Sequence, residues 1–419
     1  MRRRVINANI LCGLLLPVFS TGLHSGELPR RELFQSIVGT SIAATAALQQ
    51  PAAADTAATS YNDDVTSKHL AAYKVIPDSG PNLNPTLESF NSDTLFQQLS
   101  SQKGGGALWL GEHHNSAKDH AMQEQILCHL HQARLRNGSG GRGAADPSMI
   151  AVGLEQVEVQ FQPVLDDFSK GLLSTAELRK QVEWDTRWTW PFELYEPVFA
   201  RARDYGMPLV ALNVNTEDLV FVETSGLPGL PKDRMRAYIA DTAGFAQFAT
   251  TREFSTYVDY VIRPSYDMHQ ALGLLQYSRS GRRLDEAMSF RNFFSGRILW
   301  DEAMASRAAA WTRTHPGGLM VGLVGADHVK FRNGIPGRFA RLVAGQPEVT
   351  CTSILLNPTM IDTRPSGTVG MEGADSSRPD SITLQLRYLK DDIDRNSPER
   401  TLASSTGGVL PLADYLLIG

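Results

Sequence analysis

Four short apolar runs constrain this chain most. They are ALWLG at 107–111, MIAVGLE at 149–155, PLVALNV at 208–214 and LMVGLVG at 319–325. Each is too short for a typical helix and too continuous for a strand with one wet face, which is the pattern of strands buried on both sides in a parallel sheet covered by helices. TSILLN at 352–357 reads as a fifth. Helical patterns lie between them. The longest interval, 215–318, includes LDEAMSFRNFFSGRILWDEAMASRAAAWTRTH at 284–315 and reads as a helical insertion. The expected fold class is therefore α/β, a parallel sheet flanked by helices with a helical insertion.

In open parallel sheets the ligand crevice lies beyond the carboxyl ends of the strands. Here those ends are polar. The first run ends in Gly111-Glu112-His113-His114, the second in Glu155-Gln156, the third in Asn213 and Asn215, and the fourth in Gly325-Ala326-Asp327-His328. Any one of these is explained by the preference of helix starts and loops for Asn and Asp. Together they aim two carboxylates and two or three imidazoles at one cleft.

The segment 111–120, GEHHNSAKDH, opens a stretch to residue 131 that holds five of the ten histidines. Glu112 and His114 are two apart and share one side of an extended backbone, whereas His113 points away. Glu155 closes an apolar strand, where a carboxylate is costly unless paired or bound to a ligand. His328 follows a small-residue turn, and Asp327 either fixes its tautomer or caps the next helix. Two chemistries stay open for Glu112, His114, Glu155 and His328. One is acid–base activation of a water; the other is a divalent metal, zinc or iron, held by His114 and His328. His113 and His120 serve equally well as covers of the next helix, and His129 and His131 read as surface or core positions.

The segments WDTRWTWPFELYEP at 184–197 and SYDMH at 265–269 are dense in aromatic residues. Core packing is the commonest use of such clusters. A flat apolar ligand such as a porphyrin is the alternative, with Tyr195, Tyr266 and His269 as candidate iron ligands. The chain has no P-loop, no GxGxxG after a strand, no GxSxG elbow and no HExxH, so nucleotide cofactors, common serine hydrolases and zincins have no support. With 40 Lys plus Arg against 45 Asp plus Glu, no basic excess exists to neutralise a phosphate backbone, and nucleic acid is not an expected partner.

Residues 1–55 read as a bipartite targeting presequence. Three arginines precede a first apolar run; Arg30 and Arg31 then precede a second, weaker run that ends in QPAAAD with an Ala-x-Ala cleavage pattern. The second half resembles a twin-arginine, lumen-targeting signal behind a chloroplast transit peptide, which makes the thylakoid lumen the expected location. The alternative is a single signal for secretion or the periplasm. Residues 56–87 read as an N-terminal extension and 88–419 as the main domain. No later segment approaches the ~18 apolar residues of a span, so no stable membrane anchor is expected in the mature protein. Cys128 and Cys351 read as free thiols. NGSGGRGAADPS at 137–148 and the Pro-, Gly- and Ser-rich 358–380 read as loops, with a strand at 381–389.

The ordered set LWLGEHHNSAKDH, VGLEQVEVQFQPVLDDF, LYEPVFARARDYGMPLVALNVN, RILWDEAMA, GLMVGLVGADHVKFRNGIPGRFAR and LADYLL resembles the ChaN-like haem-binding family over residues 88–419. The wider superfamily includes TIKI-type metalloproteases and erythromycin-esterase-like hydrolases, which share the GExH start. The resemblance implies a parallel sheet flanked by helices, a tetrapyrrole ligand, haem, at a surface pocket, and homodimers that sandwich haem between subunits. It carries over Glu112, His114, Glu155 and His328 as site positions. Unlike bacterial lipoprotein members, this chain has no lipobox cysteine next to its signal cleavage site, in keeping with an unanchored protein. Two functions follow as expectations: a haem carrier, buffer or sensor, and a metal-dependent or acid–base hydrolase built on those four residues.

Overall fold

The structure is a computed structural model that describes residues 70–80, 84–101, 104–137, 149–359, 382–388 and 408–419. The presequence read at 1–55 and nearly all of the loops read at 137–148 and 358–380 lie outside the described residues.

Ten strands are present among the described residues: β1 Ala71–Ile76, β2 Thr86–Asn91, β3 Gly106–Glu112, β4 Ile150–Glu158, β5 Leu209–Asn213, β6 Leu319–Gly325, β7 Thr350–Leu356, β8 Gln385–Tyr388, β9 Gly408–Pro411 and β10 Tyr415–Ile418. Eight form one sheet in the order β2-β1-β10-β7-β3-β6-β4-β5. From β10 to β5 every pairing is parallel. β1 runs antiparallel to both β10 and β2. β8 and β9 make a separate antiparallel pair. The α/β class read from the apolar runs is what the chain forms, and the sheet read as parallel is parallel from β10 to β5 with an antiparallel edge at β1 and β2.

Alternation along the buried strands explains the layers. Ala107, Trp109, Met320 and Val324 enter one core with the helix Phe290–Thr314. Leu108, Leu110, Val321 and Leu323 enter the other, with the helices Ala117–Asn137 and Glu196–Asp204. Each full burial of such an aliphatic side chain is worth about 1.5–3 kcal/mol, which is why both faces of these strands demand apolar residues. Between β5 and β6 the chain is mostly helical, from Thr216–Ser225 through Arg263–Ala271 to the long helix Phe290–Thr314. No helix among the described residues is long and apolar enough to cross a membrane.

Two features have no signature among the apolar runs. β1, inside the stretch read as an extension, and β2 form the antiparallel edge. β2 (TLESFN) is exposed along most of its length, as an edge strand can be, so no apolar run marks it. β4 continues past Glu155 to Glu158, and its register against β5 shifts between Leu154 and Glu158, a bulge.

The strand order positions the site. β6 lies between β3 and β4, with Glu112 opposite Gly325 and Leu154 opposite Leu323. The carboxyl ends of three neighbouring strands therefore deliver Glu112, Glu155 and the turn that bears His328 to one edge of the sheet.

Candidate active site at the strand ends

Glu112 is 1% exposed and surrounded by donors. His114 Nδ1–H donates to its Oε1 at 2.8 Å, the Tyr195 hydroxyl at 2.7 Å and Gln156 Nε2 at 3.3 Å; Gln123 Nε2 donates to Oε2. Burial alone would raise this carboxyl, but the His114 hydrogen bond and charge, with His120 and Gln123, hold it below the usual carboxylate range. His113 turns the other way, its backbone N–H and Nδ1 both 2.8 Å from Asp119. The alternation expected of extended backbone thus sorts the two adjacent imidazoles.

Glu155 is the second buried carboxylate. Its Oε2 accepts the Gly325 N–H at 2.6 Å, while Oε1 lies 3.2 Å from His328 Nε2 and 4.0 Å from His114 Nε2. His328 Nδ1–H donates to Asp301. Burial opposes ionisation of Glu155, yet the charges of His328 and His114 outweigh it and hold the group far below the ordinary range. For His328 the balance is the mirror image: burial and the Arg297 charge press its pKa down, and Glu155 and Asp301 carry it above the ordinary imidazole value. The bulge in β4 matters here, because Glu155 and its neighbour Gln156 both reach this crevice instead of facing opposite sides.

Gly325 admits the His114 ring. A Cβ at this position would stand 2.8 Å from His114 Nε2. The two imidazoles also differ in access, since the His114 side chain is 23% exposed and that of His328 is 4% exposed. His114 is the one that can meet a ligand.

An aromatic wall continues from this cluster. Trp188 stands edge-on to His114 with ring centres 5.1 Å apart, Trp190 lies 6.0 Å from it, and Trp300 lies 5.6 Å from His328. The Arg279 guanidinium sits 5.5 Å from the Trp188 ring and 4.2 Å from that of Trp300. Behind Trp300 is a cavity of about 130 Å³ lined by His269, Arg279, Met288, Phe293, Arg297 and Trp300 among others.

The seven residues singled out from sequence fall into two groups. Glu112, His114, Glu155, His328 and Tyr195 are brought together at the strand ends. Tyr195 is buried with its hydroxyl on Glu112, and burial followed by the Glu112 charge pushes its pKa well above the ordinary phenol value. Its chemistry is to hold a carboxylate. Tyr266 and His269 lie apart, on the helix Arg263–Ala271. The Tyr266 hydroxyl donates to the Met288 carbonyl at 3.3 Å, and its ring packs against Phe290 and Phe293. His269 borders the cavity and donates from Nδ1 to the Ser265 carbonyl at 2.7 Å.

Four contributors were not singled out, Gln123, Arg279, Arg297 and Asp301, and Gln156 was named as a polar strand end without a role. The available signal was RILWDEAMA, where Arg297, Trp300 and Asp301 are three and four apart and so share a helix face. The expected divalent metal at His114 and His328 finds no support. Among the described residues no group of three or more His, Cys, Asp or Glu side chains is arranged to hold one, and the Nε2 atoms of both imidazoles face Glu155.

For haem, the donor set of the cavity fits in kind. It offers an imidazole, aromatic and apolar walls, and Arg297 atoms Nε and Nη2, buried and without a hydrogen-bond partner. An engineered apolar cavity of about 150 Å³ holds benzene, so 130 Å³ takes one edge of a porphyrin and not the macrocycle.

A family profile described as "Haem-binding uptake, Tiki superfamily, ChaN" matches residues 99–339. Among solved structures, the chain is similar to ChaN of Campylobacter jejuni, described by its cofacial heme binding. That match has 15% identity and a TM-score of 0.43 over 70% of this chain and 95% of the other. It is also similar to the type III effector HopBA1, with 9% identity and a TM-score of 0.28 over 62% of this chain and 79% of that one. No curated protein matches.

Proposed function

The chain belongs to the haem-binding uptake family of ChaN in the Tiki superfamily, and from that premise we propose that it binds an iron-porphyrin beside the strand ends, with His269 as the iron ligand. The observation that carries the ligand assignment is the bond from His269 Nδ1–H to the Ser265 carbonyl in the cavity wall. A neutral imidazole that donates from Nδ1 keeps its lone pair on Nε2, and an orienting bond of this kind is what iron-binding histidines use. Bound haem would supply an iron centre and a Soret chromophore. In this reading Phe293 and Trp300 offer apolar surface to the porphyrin edge that enters the cavity.

The role is that of a haem carrier, buffer or sensor, and the location is the thylakoid lumen, supported by the twin-arginine pattern at Arg30 and Arg31. Pairing of two copies across bound haem belongs to the same proposal. Titrating the protein with haem tests it. A shifted Soret band saturating near one equivalent is expected, altered in His269→Ala and retained in Tyr195→Phe and Tyr266→Phe. Unchanged spectra in His269→Ala would remove His269 as the ligand, and no band shift in the parent would remove the haem reading.

A second reading has its own observation. His114 oriented by Glu112, and His328 oriented by Asp301, converge on Glu155. With Nδ1–H held by Glu112, His114 keeps a basic Nε2 at the partly open side of the crevice. It would take a proton from water as that water attacks an ester or amide carbonyl, then return the proton to the leaving group. Glu155 and His328 would hold the charge balance during both steps. Turnover of activated esters, abolished in His114→Ala, tests it.

A further inference from the structure

The cavity behind Trp300 is lined by a cation, Arg297, which shares a hydrogen bond with Tyr257 but has two buried donors without a hydrogen-bond partner. Arg297 lies on the helix Phe290–Thr314, one turn before Asp301, so both face the crevice. Its residue is partly buried, but Nε and Nη2 are shielded from solvent and have no hydrogen-bond partner among the described residues. Burying two donors of a charged group without acceptors is costly. Those two atoms form the flat side-on fork of a guanidinium, which matches the two oxygens of a carboxylate. Asp301 lies close enough to balance the charge, yet its Oδ1 is committed to His328 and its Oδ2 also lacks a hydrogen-bond partner.

The remaining wall limits what can enter. Leu275, Met288 and Phe293 are apolar, and Arg279 adds a second cation stacked on Trp300. Glu223 is the opposing charge, with one oxygen 2.8 Å from the Arg279 backbone N–H. A space of about 130 Å³ admits a group about the size of one small ring or a short acid side chain.

We propose that this cavity recognises a carboxylate carried on an apolar body, with Arg297 as the anchoring residue. Two sources offer that chemistry: a propionate arm of haem, with the macrocycle outside, or the carboxylate arm of a small arylalkanoic acid, with its ring at the cavity mouth. The haem arm rests on the reading above; the small-acid arm does not.

The test compares haem with haem dimethyl ester, whose propionates carry no charge, and adds 3-phenylpropionate as the small acid. In the unaltered protein haem should bind at least tenfold more tightly than its dimethyl ester. Arg297→Gln should erase that difference while leaving the Soret position set by the iron ligand in place. Arg297→Lys, which keeps the charge but not the fork, should restore only part of it. For the small acid, calorimetry and thermal shift should show binding to the parent and none to Arg297→Gln. Because the ester comparison uses the unaltered protein, a poorly folding variant does not block it. Equal binding of haem and its ester, together with 3-phenylpropionate that fails to bind or binds independently of Arg297, overturns the proposal. If neither haem form binds but 3-phenylpropionate binds through Arg297, the cavity assignment stands with the free acid as its source, and the haem reading fails separately.

Discussion

Glu155 Oε1 lies 3.2 Å from His328 Nε2, joining the end of β4 to the turn that follows β6. Both side chains are nearly excluded from water, at 1% and 4% exposure. At that depth an ion pair persists only when each partner is itself held, and Gly325 N–H and Asp301 do this for Glu155 and His328 respectively.

Breaking the pair from one side should therefore cost more than an ordinary substitution. Glu155→Gln leaves His328 facing Arg297 without its main counter-charge, and loss of one partner of a buried pair costs about 3–5 kcal/mol. Urea unfolding at pH 6 should show a loss of this size. A change below about 1 kcal/mol would mean that the pair is not maintained in solution.

The same groups set a pH window. Glu112 and Glu155 have folded pKa values below the ordinary value near 4.5, so their contribution is complete above it and is lost as pH falls through the depressed values. His328 has a folded pKa above its ordinary 6.5, so its contribution is complete below that value and fades as pH rises through the raised one. Stability from this cluster should be greatest between about pH 4.5 and 6.5. Chemical denaturation across pH 3–9 checks it, and Glu155→Gln should flatten both limbs. A profile identical in parent and variant would contradict the assigned shifts.

Gly325→Ala separates site geometry from fold. The added methyl would press on His114 Nε2, the outer end of a partly exposed side chain that can swing away. Expected stability loss is at the low end of the about 1–3 kcal/mol range for overpacking. Any ester turnover should nevertheless fall to the level of His114→Ala. A melting temperature far below the parent, or full retention of turnover, would show that Gly325 is there for another reason.

Glu112→Gln and His114→Ala distinguish a working unit from a self-satisfied polar network. If the cluster is catalytic, either change alone should remove most turnover, and their combination should add little, because groups that act together are strongly non-additive. Tyr195→Phe, which removes one hydrogen bond to Glu112, should cost about 1.5–3 kcal/mol in stability and leave the haem spectrum intact. Lower melting temperatures with unchanged haem affinity and turnover in all three variants would assign the cluster to structure alone.

What the sequence made legible follows from how local each signal is. Burial on both faces leaves a continuous apolar run, so β3, β4, β5 and β6 could be read directly, as could the polar residues at their ends. The spacing of Glu112 and His114 also carried its meaning locally, because strand alternation places i and i+2 together. Asp301 and Arg297 did not. They sit midway along a long helix, and only the packing of that helix on the sheet turns them toward His328. Gln156 was legible as a polar strand end but not as a partner of Glu112: simple alternation points it away from Glu155, and the bulge cancels that rule. β2 stayed invisible because an exposed edge needs no apolar run.

The position of β10 bears on the order in which the molecule can assemble. Among the described strands β1 pairs with β2 and β10, and β10 follows the other described strands along the chain. As the polypeptide leaves the ribosome, the amino-terminal hairpin emerges early but has nowhere to dock until residues 415–418 appear. Closure of that edge joins segments more than three hundred residues apart in sequence, a contact of high order that forms late. Until then β7 presents a raw edge, and a growing or stalled chain is exposed there to chaperones, proteases and its own copies.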